Sequence, residues 1–438
     1  MDLSTLQWET LTMGEHRIRQ LAGLNYPIIP LSASPDGKSL VVVVQTGNPT
    51  GSTEIASWDQ ARALLAMIDL QDNAHWSLQT NATAFPPNYL PRVNWLPDGS
   101  LLWVDEAHKA FLGSEQNRRE LNAPVPISQI EYASNNIAFA QAEDVELWRV
   151  DLVSELWEKV TTPKPPKAGA LGGYFILARD GSYALAFQDG QMWRIPAKMG
   201  AIAEPLPDVK VEIVGRGGPS GPSPTQLANG SYWLIGLPRA GEAGIGSEGF
   251  VVDEYRGSIV TAKDLQLPEG YYISGYYASS DGRWLAVTIS DDPMQPWEQT
   301  DVYLTPSTDF TAGRIVKGVS VVGWHDEAPA VIFRDNKTGA FSVARLPLAD
   351  TTVKARLNNA APPLAMLPET IFAVDRASPA RVLQFDLDGR LLNTFDLSTQ
   401  YESILSMRGI EDRLFLGVKG RQADNACTYA LVEWRIEP

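Results

Sequence analysis

The sequence predicts an all-β chain built from one repeated hairpin unit, a β-propeller of four-stranded blades. Three observations carry that reading. An apolar stretch runs repeatedly into a turn and then a strand, at Ser34-Pro35-Asp36-Gly37, Leu96-Pro97-Asp98-Gly99, Arg179-Asp180-Gly181, Ala228-Asn229-Gly230 and Ser279-Ser280-Asp281-Gly282. Asp-Gly and Asn-Gly supply the positive φ angles of a two-residue hairpin, so each copy signals one. Counting weaker turns at Asn135-Asn136, Asp326-Glu327, Pro368-Glu369 and Glu411-Asp412, the spacings run from 37 to 62 residues. They average about 47, close to the period of four-stranded propeller blades. Finally, the strands are apolar at nearly every position rather than every second one, as expected of sheets buried on both faces.

Taken in order, the first turn leads to strands at 40–44, 64–69 and 75–79, and the second to 101–104. Strands at 137–140, 145–151 and 156–161 follow Asn135-Asn136; those at 183–187 and 191–196 follow Asp180-Gly181. The segment 232–235 follows Asn229-Gly230, and 284–289, 302–305 and 314–317 follow Asp281-Gly282. The last units offer 330–333 and 340–346, then 371–374, 381–386 and 391–397, and finally 414–418. With one weak unit merged into a neighbour, these turns predict eight blades, seven and nine being the alternatives. Residues 429–436 end the last unit. Residues 6–13 read as a lone strand that completes the last blade and removes its open edge.

A chain of 438 residues fits one such ring as a single domain spanning 1–438. No apolar run of about 18 residues is present, so no membrane span is expected. The start, Met1-Asp2-Leu3-Ser4-Thr5, lacks the pattern of a secretory signal. The single cysteine, Cys427, excludes an internal disulfide, and the expected location is the cytoplasm. A formal charge of −16 argues against a broad nucleic-acid surface, which needs clustered Lys and Arg. Among the 13 tryptophans, Trp95, Trp103, Trp148, Trp193 and Trp284 fall inside strand patterns and read as fillers between sheets.

Departures from the repeat mark the candidate working surface. The second-to-third-strand connections are long at 47–62, 238–249, 291–300 and 420–428, and two links between units, 162–169 and 216–224, are rich in Pro or Gly. In a propeller all of these emerge on one face, and insertions gathered there commonly bind a partner. The candidate binding residues are Trp58 and Asp59 in the first connection, Arg239 in the second, and Asp291, Asp292, Trp297 and Glu298 in the third. A large aromatic in a polar loop either folds back or meets a partner. The acids beside Pro293 suit a turn better than a cation site. Residues 52–65 could form a short amphipathic helix that caps or docks.

Signatures of catalysis are sparse. His16, His75, His108 and His325 lie far apart in sequence, and none has helix-spaced partners for a metal. No Gly-x-Ser-x-Gly elbow occurs. Gly244-Ile245-Gly246-Ser247-Glu248-Gly249 lacks the Lys-Ser/Thr ending of a phosphate loop. Asp386-Leu387-Asp388-Gly389 lacks the later acids of a calcium loop and reads as a hairpin turn. Cys427 has no neighbouring His to activate it. No cofactor, metal or catalytic residue is assigned.

The motif Ser-x-x-Pro-Asp-Gly-x-x-Leu, best at residues 32–40, resembles the repeat of TolB-like, WD40-like propellers, which also recurs in prolyl-oligopeptidase-type enzymes. The resemblance covers the turns from 34 to 284 and little of the C-terminal third. Being a structural turn, the motif implies a fold and no catalytic residue. The oligogalacturonate lyases are a related group that performs chemistry inside such a ring at a histidine-rich metal site; four scattered histidines offer little toward it. Two functions follow as expectations. The favoured one is a non-enzymatic interaction module, an accessory of a larger cytoplasmic assembly that holds a protein partner through the loop-rich face. The alternative is a hydrolase, lyase or ligand-binding protein that takes a carbohydrate or peptide in the central channel, with His325 as the first contributor.

Overall fold

The computed structural model describes residues 10–13, 16–24, 27–45, 63–70, 75–82, 94–105, 107–113, 117–142, 146–160, 175–188, 191–205, 225–226, 232–236, 248–253, 258–259, 267, 271–279, 281–290, 300–324, 330–348, 355–420 and 429–436. These form nine antiparallel sheets in chain order, eight of four strands and one of five. Sheet 1 is Ile28–Ala33, Ser39–Gln45, Ala63–Asp69 and His75–Ala82. Sheet 2 runs from Asn94–Trp95 to Arg119–Glu120, sheet 3 from Ile127–Tyr132 to Trp157–Lys159, and sheet 4 from Phe175–Leu177 to Glu204–Pro205. Sheets 5, 6 and 7 begin at Thr225–Gln226, Tyr272–Ala278 and Val319–Trp324, and sheet 8 spans Ala360–Leu367 to Leu391–Asp396. Sheet 9 takes Tyr401–Ile410, Arg413–Gly420 and Tyr429–Arg435 from the end of the chain, then His16–Leu24 and Thr10–Met13 from its beginning.

Two-sided burial explains the runs of apolar residues. In Ser39–Gln45, Val41 and Val43 pack toward sheet 2, against Leu101, Trp103 and Phe111. Their neighbours Leu40, Val42 and Val44 pack toward sheet 9, against Phe415 and Leu431. The same split recurs in sheet 8, where Ile371 and Ala373 join the core shared with sheet 7 and Phe372 and Val374 the core shared with sheet 9. A strand alternates its side chains between two faces, so a sheet with a neighbour on each face needs apolar residues at odd and even positions alike. Each Val or Leu so buried contributes about 1.5–3 kcal/mol. Four-stranded meanders packed face to face in chain order are the β-propeller arrangement. Trp434, fully buried, sits edge-on to Phe395 at 4.0 Å and Phe372 at 6.0 Å between sheets 8 and 9.

The described residues hold nine sheets, and each of the nine turn signals precedes the second strand of its own sheet. Other expectations change. The outer strands of sheet 5, Thr225–Gln226 and Ser258–Ile259, are two residues each, too short to register in a pattern search. The N-terminal segment is a hairpin rather than a lone strand. Its second arm, His16–Leu24, pairs with Tyr429–Arg435, while Thr10–Met13 is the outermost strand. Residues 16–24 have no Asp-Gly-type turn in front, which hides them from a search anchored on turns.

The Asp-Gly turns are also longer than two-residue hairpins. At the first, only Gly37 has positive φ, at 66°. Gly37 N–H bonds Ser34 O at 2.9 Å, and Ser34 N–H bonds Ser39 O at 2.8 Å. Pro35 thus sits where a type I turn favours proline, and the glycine takes the left-handed position after it. The Ser34 hydroxyl donates to Asp36 Oδ1 at 2.6 Å and accepts Ser39 N–H at 2.9 Å. Ser279 and Asp281 repeat this, with Ser279 Oγ–Asp281 Oδ1 at 2.6 Å and Trp284 N–Ser279 Oγ at 3.0 Å. The serine of the motif therefore closes the hairpin by tying the turn carboxylate to the following strand. The weaker Asn135-Asn136 copy has both central residues at positive φ, at 51° and 63°.

Buried polar contacts lie within and between sheets along the turns. Buried Arg413 of sheet 9 pairs with Glu411 at 3.3 Å and with buried Glu433 at 3.6 Å, and its guanidinium lies 5.6 Å over the Phe415 ring. Arg149 of sheet 3 is 1% exposed and donates to the carbonyls of Pro196, Lys198 and Ala201 in sheet 4. Burial lowers its pKa, and Glu158 at 3.1 Å opposes that. The first strands of sheets 1, 3, 6, 7, 8 and 9 each carry a bulge or register shift. No helix among the described residues is long and apolar enough to cross a membrane.

Two predictions follow from the turns. The Asp36 carboxyl is lowered by the Ser34 hydroxyl, and Asp180 by the Ser182 amide and hydroxyl. Burial pushes Asp281 up, but bonds from Ser279 and Arg283 outweigh it. The Ser398 hydroxyl and amide, with Arg381, hold Asp396 at about 2. These groups bind protons more weakly folded than unfolded, so they stabilise the fold above the ordinary value of 3.8 and lose that contribution as pH falls toward 2. The melting temperature is expected to be flat from neutral pH to the onset of that window and to drop within it. Separately, a Cβ on Gly181 (φ +67°) would lie 2.1 Å from Ala133 O of sheet 3, whereas at Gly200 (φ +73°) nothing lies within 4 Å. In urea unfolding, Gly181→Ala is expected to cost about 2–3 kcal/mol and Gly200→Ala about 1 kcal/mol.

Candidate functional site

Because each sheet is a meander, its second-to-third connection and the link to the next sheet leave from the same ends of the strands. The long connections are rooted there. In sheet 1 the connection leaves Gln45 and returns at its register partner Ala63; in sheet 5 it leaves Gly236 and returns at Glu248. In sheet 6 it follows Ser290 and returns to Asp301, the partner of Ile289, and in sheet 9 it follows Gly420 and returns to Tyr429, opposite Lys419. Sheets 9 and 1 share a core, and the third strand of sheet 5 packs on the first strand of sheet 6. The four long connections are therefore rooted on two pairs of adjacent sheets.

Trp58, Asp59, Arg239, Asp291, Asp292, Trp297 and Glu298 all lie outside the described residues, as do His325, Cys427 and the glycine-rich segment 244–247. The chain path assigns Trp58 and Asp59 to the sheet 1 connection and Asp291, Asp292, Trp297 and Glu298 to that of sheet 6, which are not consecutive sheets.

The best-built root is that of sheet 6. Thr300, 4% exposed, ends the connection. Asn336 of sheet 7 donates through Nδ2 to Thr300 O at 3.0 Å and to its Oγ1 at 3.2 Å, while Ser320 Oγ donates to Asn336 Oδ1 at 2.6 Å. Beside it, Asp301 accepts Gly318 N–H at 2.7 Å and the Tyr271 hydroxyl at 3.0 Å. One amide side chain thus ties the return of the connection to the next sheet, and one carboxylate ties it to the links on either side. Sequence reasoning missed Thr300, Ser320 and Asn336; isolated polar residues at strand ends carry no spacing signal.

Other sequence candidates resolve into structural roles. His108 occupies a tight turn at φ 60°, its amide bonded to Asp105 O at 3.1 Å and its carbonyl to Ile127 N at 2.8 Å. Asp386 Oδ1 accepts the amides of Asp388 and Arg390 at 3.0 and 2.8 Å, and Arg345 Nε reaches Asp388 at 2.7 Å, which closes this string as a hairpin. Trp103 stacks on Phe111 with ring centroids 5.5 Å apart, and Trp95 Nε1 donates to Ser32 of sheet 1 at 3.2 Å. Among the described residues no group of three His, Cys, Asp or Glu side chains is placed to hold a metal.

No family model matches the chain, and no curated protein does. Solved structures give distant likenesses. The Cps50 (Swd1) β-propeller domain of Myceliophteria thermophila is 13% identical, with a TM-score of 0.38 over 77% of this chain and 99% of that one. A eukaryotic initiation factor is 11% identical, at TM-score 0.47 over 75% and 82%. The oligogalacturonate lyase of Vibrio parahaemolyticus is 10% identical, at TM-score 0.43 over 99% and 97%. None of these likenesses assigns an activity to this chain.

Asn336→Ala is expected to lower stability in urea by about 1–3 kcal/mol, the cost of leaving the buried Thr300 and its neighbours short of a partner. Hydrogen exchange should locate the loss at residues 300–301 and 318–320, with the amides of sheets 1 and 9 unchanged.

Proposed function

We propose that the nine sheets are nine blades of one ring, closed where His16–Leu24 joins the last sheet, and that the ring is a non-enzymatic interaction scaffold in a larger cytoplasmic assembly. What carries this reading is the placement of the long connections: they share one end of the strands and are rooted on two pairs of packed sheets. Loops on a rigid frame bind with little ordering cost, because the frame is already fixed. The Asn336–Thr300 tie adds to that for the connection holding Asp291, Asp292, Trp297 and Glu298. The partner would meet Trp58 and Trp297 as apolar anchors, with Asp59, Arg239 and the acids of 291–298 as the surrounding polar contacts.

A second reading, a ligand in the channel, draws on three exposed apolar residues of first strands: Tyr277 at 52%, Val322 at 44% and Leu405 at 44%. The first strands of sheets 8, 9 and 1 pack near one another, which supports a reading with first strands toward the centre.

One experiment weighs both. Tagged protein and its Trp58→Ala/Trp297→Ala variant are purified from the native host, and any stoichiometric companion is identified and reconstituted from pure components. The scaffold reading expects a reconstituted complex that the variant weakens tenfold or more. A variant that binds as well as the parent rejects the assignment of the face. A chain that reconstitutes with nothing, yet binds an oligosaccharide or peptide in a way that Tyr277→Ala abolishes, moves the function to the channel.

A further inference from the structure

Five Asp-Gly pairs among the described residues sit in turns: Asp36-Gly37, Asp98-Gly99, Asp180-Gly181 and Asp281-Gly282 before second strands, and Asp388-Gly389 before the last strand of sheet 8. An aspartate followed by glycine can rearrange its own backbone. The glycine nitrogen bonds to the side-chain carboxyl carbon, and the amide hydrogen and the acid's hydroxyl leave as one water. Glycine, without a Cβ, leaves that approach open. One water then opens the cyclic imide; attack at the main-chain carbonyl leaves isoaspartate, with the backbone routed through the side chain.

In all five turns the nucleophile is held alike, each glycine amide donating to the carbonyl of Ser34, Leu96, Ala178, Ser279 or Asp386 at 2.7 to 3.1 Å. The carboxylates differ. Asp36 accepts the Ser34 hydroxyl at 2.6 Å and Lys38 N–H at 3.2 Å. Asp281 accepts the Ser279 hydroxyl at 2.6 Å, Arg283 N–H at 2.9 Å and Arg283 Nε. Asp180 accepts the Ser182 amide and hydroxyl at 2.9 and 2.7 Å, and Asp388 accepts Arg345 Nε and Nη2 at 2.7 and 3.3 Å. Asp98 is exposed and, among the described residues, accepts one bond, from Ser100 N–H at 2.9 Å. The serine that clamps the turns of sheets 1 and 6 is Leu96 here, buried in the core between sheets 2 and 3. A carboxylate tied by two or more donors must release them before its carbon reaches the glycine nitrogen, and each bond to a charged acceptor resists that. We propose that Asp98-Gly99 is a site of spontaneous covalent modification, where isoaspartate forms ahead of the other four pairs. The product adds one main-chain atom to the turn, at the expense of the bonds from Gly99 N–H to Leu96 O and from Leu96 N–H to Ser100 O. Asp189-Gly190 and Asn229-Gly230 lie outside the described residues and are not ranked.

The test holds the full-length protein for weeks at neutral pH in heavy-oxygen water, then digests it and maps the peptides by mass spectrometry. Ring opening writes one heavy oxygen into the peptide, and the isoaspartyl form separates from the aspartyl form on the column. Isoaspartate is expected at Asp98 about tenfold faster than at Asp36, Asp180, Asp281 or Asp388, the factor carried by one hydrogen bond to a carboxylate. In urea, where the turns are gone, that lead should collapse. Ser34→Ala should keep the parent's near-ultraviolet circular dichroism and raise the Asp36 rate about tenfold, with the Asp180 rate unmoved. Equal rates at the five pairs of the folded protein overturn the proposal, as does another pair ahead of Asp98. So does a lead that persists in urea, or a folded Ser34→Ala variant whose Asp36 ages no faster than the parent's.

Discussion

Sheets 1, 2, 3, 6, 7, 8 and 9 bury apolar side chains on both faces, and that is the constraint from which the rest follows. A sheet such as the one holding Leu40 to Val44 cannot stand in water alone, because half of its side chains would be exposed whichever face was covered. Each therefore needs a neighbour on either side, and each neighbour needs another. An open stack would leave one apolar face at each end. The cores found here run from sheet 1 through sheets 2, 3 and 4, and from sheet 6 through 7, 8 and 9 back to sheet 1. The last sheet thus shields the first.

Polar groups act within that apolar frame as alignment devices. Arg149 spends its two terminal nitrogens on carbonyls of the adjoining sheet, and Arg413 is paired with carboxylates of its own sheet. Desolvating a guanidinium is costly, and these directed contacts offset that cost. Such bonds fix the offset between sheets, which hydrophobic burial leaves loose. The serine of each Ser-x-Asp-Gly turn performs the same task within a sheet, and Asn336 performs it at the root of a long connection.

The sequence revealed the second strand of every sheet, because Asp-Gly or an equivalent turn precedes a run of aliphatic residues, and structure and sequence agree on 101–104 to the residue. It was weakest for the short outer strands of sheet 5 and for His16–Leu24, whose partner lies at the other end of the chain, since local pattern says nothing about pairing over that distance. Even the weaker turns each precede the second strand of a sheet. Of the site, the sequence showed where connections are long, because extra residues are visible in a repeat. It did not show Thr300, Ser320 and Asn336, which become a unit only when sheets 6 and 7 meet.

The pairing of His16–Leu24 with Tyr429–Arg435 also has a bearing on biosynthesis. A ribosome adding about 5–20 residues per second releases the first arm long before the second exists. For most of that time Leu21, fully buried in the finished protein, has no core to enter, and the backbone edge of its strand has nothing to bond. The nascent chain must keep this segment from other edges until Tyr429–Arg435 arrives, so His16–Leu24 is among the last parts to fold.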